Sequence, residues 1–159
     1  MEPSTIIKQQ ESLINELKGK LEKLTGKYKI ALEGAKPVTS VKVFEYLYDH
    51  KFFRGESETS LFFTVNDNNY QVITSRLPFM TIRAVFTIPA DRTNDFESAA
   101  CEITESKHMI KAYVYDNRLI IDLQSYERDC RHFYRSFEGY IWMIDRAQAD
   151  IAMMTKKTL

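Results

Sequence analysis

MTIRAVFTIPADRTNDFESAACEI, residues 80 to 103, carries two hydrophobic periods in succession. Up to Ile88 the period is two: Met80, Ile82, Ala84, Phe86 and Ile88 fall on one side of an extended chain, and Thr81, Arg83, Val85 and Thr87 on the other. Beyond Pro89 the spacing is three to four, so Phe96, Ala99, Ala100 and Ile103 make one stripe of a helix, with Cys101 and Glu102 to its side. Pro89 cannot donate a ladder hydrogen bond and ends the strand, while Asp91, Asp95 and Glu97 suit the positive end of the following helix. One strand face is apolar and the other mixes polar residues with a valine. That is the pattern of an antiparallel sheet covered by helices on one side only. The hinge at Pro89 is a corner of the scaffold rather than a seat of chemistry.

The same two periods organise the flanking sequence. Upstream, residues 40–50 predict a helix with Val41, Phe44, Leu47 and Tyr48 on one stripe. Phe52 and Phe53 then lead into a strand from Leu61 to Val65, a turn over Asn66 to Asn69, and a return strand from Tyr70 to Ser75. Downstream, Ile110, Ala112 and Val114 face inward, Asp116 and Asn117 make a tight hairpin turn, and Leu119, Ile121 and Leu123 face inward again. A last helix over about 129–153 aligns Phe133, Phe137, Tyr140, Ile141, Ile144, Ile151 and Met154.

At the amino terminus Ile7, Gln10, Ile14, Leu17, Leu21, Leu24 and Tyr28 alternate steps of three and four, the heptad pattern of a helix seam. About three heptads are marginal alone, so the seam needs a partner, and a second copy of the chain is the expected one, through Ile7, Ile14, Leu17, Leu21 and Leu24. Gly34 and Pro37 interrupt this helix, and Thr39 or Ser40 can cap the next. The expected layout is therefore an α+β fold with a largely antiparallel sheet and helices packed on one face, in the order α-α-β-β-β-α-β-β-α. Residues 1–33 form a helical arm, a possible coiled coil, and residues 38–155 the domain.

The run VKVFEYLYDHKFF, LFFTVNDNNYQVI, MTIRAVFTIPADRTNDFESAACEI, MIKAYVYDNRLIIDL and FYRSFEGYIWMIDRAQADIA resembles the YbjN family, which shares the type III secretion chaperone-like fold. The resemblance covers about residues 38–155 and lies in element order and apolar pattern. It implies a homodimeric, non-enzymatic module, chaperone-like or regulatory, that receives a client protein or peptide.

Composition narrows the function classes. The chain has 159 residues, 44% of them apolar, enough for a real core. Its 22 basic and 22 acidic residues cancel, which argues against nucleic acid and acidic lipid as partners of the whole protein. With no signal-like leader and no apolar run of membrane-spanning length, a cytoplasmic protein without a membrane partner is expected. Cys101 and Cys130 are read as thiols. The five glycines are too scattered for a phosphate loop, and no spacing of ligands suggests a metal, so neither cofactor nor metal is expected.

Two candidate sites remain. Val85, Tyr113, Tyr115 and Ile120 should share the outward face of the sheet, and tyrosine is enriched where proteins touch. The competing enzyme reading uses Cys101 with His108, or Cys130 with His132, and needs an orienting group and a pocket. A nucleic-acid reading would place Arg83 and Lys111 beside the stacking rings of Tyr113 and Tyr115.

Overall fold

The computed structural model describes residues 2–49 and 53–156. His50 and Phe52 lie outside them. The chain divides into two compact units, Met1–Lys36 and Pro37–Leu159.

The first unit is one helix, α1 (Pro3–Glu33). It carries an ion pair one turn apart, Lys20 Nζ to Glu16 Oε1 at 2.7 Å. Ile7, Ile14, Leu17, Leu21 and Leu24 are all exposed along this helix. Gly19 and Gly26 sit seven residues apart, and a Cβ added to either would meet nothing within 4 Å.

The second unit is α+β. Helix α2 (Ser40–Asp49) is followed by β1 (Phe53–Glu56), β2 (Ser60–Val65), β3 (Asn68–Arg76) and β4 (Phe79–Thr87). A short 3-10 turn (Ala90–Arg92) leads into α3 (Thr93–Ser106), then β5 (Ile110–Tyr115), β6 (Arg118–Tyr126) and α4 (Cys130–Lys156). The six strands form one sheet in the order β1-β2-β3-β4-β6-β5, with every neighbouring pair antiparallel. The α+β class is as expected, with one strand more before α3 than the three anticipated. The additional strand is the four-residue β1, too short to register as a period of its own.

Turn chemistry sets the hairpins. Asn66 and Asp67 have φ of 49° and 65°, and Asp116 and Asn117 have 50° and 55°. Asn and Asp tolerate this left-handed region, which matches the twist of the strands they join. The first turn is tighter than the expected Asn66 to Asn69, because two such residues suffice and Asn68 is already paired with Val65.

The core lies between the sheet and its helices. Leu61, Phe63, Tyr70, Val72, Met80, Ile82, Ala84, Leu119, Ile121 and Leu123 are buried from the sheet, and Phe133, Phe137, Ile144, Ala147 and Ile151 from α4. Asp129 caps α4, its Oδ1 accepting the His132 N–H at 2.8 Å, which holds the Asp129 carboxyl below the usual range. Thr39 does the same for α2 through the Lys42 N–H at 3.3 Å.

The buried stripe of α2 matches the expected one at Leu47 and, in part, at Phe44, and departs from it elsewhere. Val43 is buried and Tyr46 is partly so, whereas Val41 and Tyr48 are exposed. Both sets obey helical spacing, and aromatic packing decides between them. Tyr46 lies with ring centroids 5.2 Å from Phe133 and 5.4 Å from both Tyr134 and Phe137 on α4.

Candidate functional site

Strand alternation and register build the sheet's uncovered face row by row. Val85 pairs with Ile120, which pairs in turn with Tyr113, so these three residues line up across β4, β6 and β5. In the adjoining row Thr87 and Tyr115 both pair with Arg118. The four outward residues singled out from the sequence thus occupy two neighbouring rows of one face. Val85 is 45% exposed and Tyr115 70%, while Tyr113 and Ile120 are half-buried.

On the other side of that patch runs the row Phe62, Gln71, Arg83, Asp122 and Lys111. Arg83 grips Asp122 with a two-pronged fork: Nε donates to Oδ1 at 2.7 Å and Nη2 to Oδ2 at 2.8 Å. Nη2 also donates to Tyr113 Oη at 3.3 Å. The hydrogen bonds it donates to Asp122 raise the already high pKa of Arg83. Tyr113 is pushed up as well, by burial first and then by the Asp122 charge. Asp122 is only 4% exposed although it lies on the outward side, because the guanidinium covers it. The Lys111 ammonium stands 5.8 Å from the Tyr113 ring centroid.

Three exposed aromatic residues extend this face and were not among the predicted site residues: Phe62, Phe79 and Tyr126. Their signal was present in the alternation, since Phe62 falls between the inward Leu61 and Phe63, and Tyr126 shares parity with Ile120. Phe79 and Tyr126 pair across β4 and β6 with ring centroids 5.3 Å apart, edge to face. Near the opposite end, Phe62, Asn69, Gln71, Arg83 and Val85 rim a shallow depression. The arrangement offers apolar and aromatic surface around a charge pair that is already neutralised.

The residues of the enzyme reading are not drawn together. Cys130 is buried and its Sγ lies 3.5 Å from the Pro37 carbonyl, whereas His132 Nδ1 lies 3.0 Å from Glu127 Oε2. Cys101 is exposed on α3 with its thiol 3.7 Å from Glu105 Oε1, and His108 lines a groove with Lys107, Ile110, Trp142, Met143 and Arg146. Among the described residues no group of three His, Cys, Asp or Glu side chains could hold a metal ion, and no helix is long and apolar enough to cross a membrane. In the nucleic-acid reading Arg83 would have to meet phosphate or base, but its fork is committed to Asp122.

Beneath β6 lies a compact polar cluster. Glu127 is almost fully buried, accepts Ser125 Oγ–H at 2.6 Å and faces His132. The Tyr140 hydroxyl is buried close to Glu127 and Ser125, without a hydrogen bond of good geometry among the described residues. Burial and the neighbouring Glu127 carboxylate push that phenol up to about 12.

No protein-family model matches the sequence, and no curated protein does. Solved structures do match in shape. YbjN from E. coli, a candidate transcription regulator, superposes with a TM-score of 0.51 at 13% identity, covering 74% of this chain and 89% of that one. An uncharacterized protein from Methanothermobacter thermautotrophicus superposes with a TM-score of 0.54 at 9% identity, covering 76% and 99%. The chain has the YbjN-like fold.

Proposed function

We propose that this chain is a non-enzymatic protein-interaction module, a chaperone-like or regulatory adaptor, that receives a segment of a client protein on the open face of its sheet. The observation that carries the proposal is the face itself: Val85, Tyr113, Tyr115 and Ile120 adjoin in two rows, and Phe62, Phe79 and Tyr126 enlarge the patch. Tyrosine and phenylalanine supply contact area at small entropic cost, and the rim of Lys111, Arg118 and Gln71 is polar, as in protein-binding surfaces. The similarly folded proteins from E. coli and Methanothermobacter thermautotrophicus support a module of this architecture, and a regulatory role fits the description of the former.

The test is selection of extended peptides from a displayed random library, followed by affinity measurement on two variants. Val85→Glu combined with Tyr115→Glu should weaken selected peptides at least tenfold, and Trp142→Glu on α4 should leave them unchanged. Peptides insensitive to the first pair, or lost with Trp142, would overturn the reading.

The homodimer belongs to the same proposal, with α1 pairing along Ile7, Ile14, Leu17, Leu21 and Leu24. Ile14 followed by Leu17, and Leu21 by Leu24, occupy the inner heptad positions that a two-stranded coil prefers to fill with aliphatic side chains. Leu17→Asp with Leu21→Asp should halve the mass in solution, and an unchanged oligomer would remove the arm from assembly.

A further inference from the structure

The sheet has two edges, β1 and β5, and β5 ends in a hairpin whose phase is set by a two-residue turn. Tyr115 and Arg118 flank that turn and exchange hydrogen bonds, so the bonded pairs recur at Tyr113 with Ile120 and Lys111 with Asp122. The Gln124 N–H donating to the Met109 carbonyl at 2.8 Å continues the same phase. It follows that Ile110, Ala112 and Val114 turn their N–H and C=O groups away from β6, out of the sheet. Such a row is a template for another strand.

At the middle of this row stands Thr104, in the last turn of α3. Its Oγ1 accepts the Ala112 N–H at 2.8 Å and donates to the Ala112 carbonyl at 3.0 Å. A helical threonine commonly returns its hydroxyl proton to its own helix, four residues back, but here that proton goes to β5. One hydroxyl thus takes up both ladder groups of the central outward residue.

We infer that Thr104 locks the β5 edge, holding off strand addition by another chain, above all by β5 of a second copy. An incoming strand needs the Ala112 N–H and C=O to continue its ladder through the centre of β5, and both are occupied. This reading is independent of the docking face: the face uses outward side chains across the sheet, the lock uses backbone groups at the rim.

Thr104→Val removes the hydroxyl at nearly constant shape, and Thr104→Ser restores it. In the full chain, amide exchange at Ala112 should accelerate at least tenfold in the valine variant and return to the wild-type rate in the serine variant. Raising the concentration of the valine variant should then increase its mass above that of wild type and slow exchange at Ile110, Ala112 and Val114. Unchanged Ala112 exchange would overturn the lock. So would faster exchange without added mass, or added mass that leaves those three amides unprotected.

Discussion

Replacing Gly19 and Gly26 by alanine puts a number on the arm. Both glycines lie inside α1, seven residues apart, and a Cβ at either meets nothing within 4 Å, so the substitution adds no clash. Alanine in a helix interior is better than glycine by about 1 kcal/mol, which makes about 2 kcal/mol per chain and about 4 kcal/mol per pair of arms. If the arm folds only as it pairs, all of this appears in association. At about 1.4 kcal/mol per tenfold, the dimer Kd should tighten by up to about a thousandfold. If each arm is already helical alone, the Kd stays constant and the gain appears as a higher melting temperature of the isolated helix, so sedimentation and thermal circular-dichroism measurements separate the two limits. The reasoning also has a side: the seam Ile7, Ile14, Leu17, Leu21 and Leu24 lies opposite the glycines. Weaker association of the double-alanine variant would place Gly19 and Gly26 in the contact and refute the assigned seam. No gain in either the melting temperature of the helix or the affinity would refute the helix.

Further expectations concern the domain. Arg83→Ala removes a two-pronged ion pair but also uncovers Asp122, whose side chain is 6% exposed beneath the guanidinium, to water, and should cost about 1 kcal/mol in urea denaturation. The double variant Arg83→Met, Asp122→Leu should cost less than this single change, and a loss below about 0.5 kcal/mol for Arg83→Ala would contradict the buried pair. Tyr140→Phe removes a buried hydroxyl that sits beside Glu127 without a well-formed hydrogen bond, and should change stability at neutral pH by less than about 1 kcal/mol. The wild-type phenol is raised to about 12 from 10.0, so the unfolded chain releases this proton first; stability falls as pH rises from about 10 through about 12. Tyr140→Phe should lose less over that window, and parallel alkaline curves would count against the buried phenol.

How much of this was legible in the chain depends on what kind of signal each feature leaves. Period two in Met80 to Ile88 and in Leu119 to Leu123 is written by burial of one face, so the inward and outward sets could be read directly. Helix α2 was legible only in part: Phe44 and Leu47 pack inward as expected, but Val41 and Tyr48 fit helical spacing as well as Val43 and Tyr46 do, and the rings of α4 that Tyr46 meets choose between them. Asp122 fell on the outward side by alternation, yet its burial depends on Arg83, 39 positions away in sequence and opposite it only through the register of β4 and β6. Thr104 left no signal at all: a polar residue on a helix flank gains its role from the edge strand that α3 happens to overhang. The outward site residues were recoverable because parity alone assigns a face, whereas their assembly into adjacent rows required the pairing partners.

The strand order has a kinetic side. Four of the five strand pairings join neighbours in sequence: β1 with β2, β2 with β3, β3 with β4, and β5 with β6. Only the nine-residue seam from Phe79 paired with Tyr126 to Thr87 paired with Arg118 bridges the helix that separates the two sets. A meander and a hairpin can therefore form with short loop closures, and the expected slow step of refolding is their joining along β4 and β6. Weakening Val85 or Ile120 should slow the refolding arm of a chevron, while loosening the turn at Asn66 and Asp67 should act mainly on one hairpin's own formation.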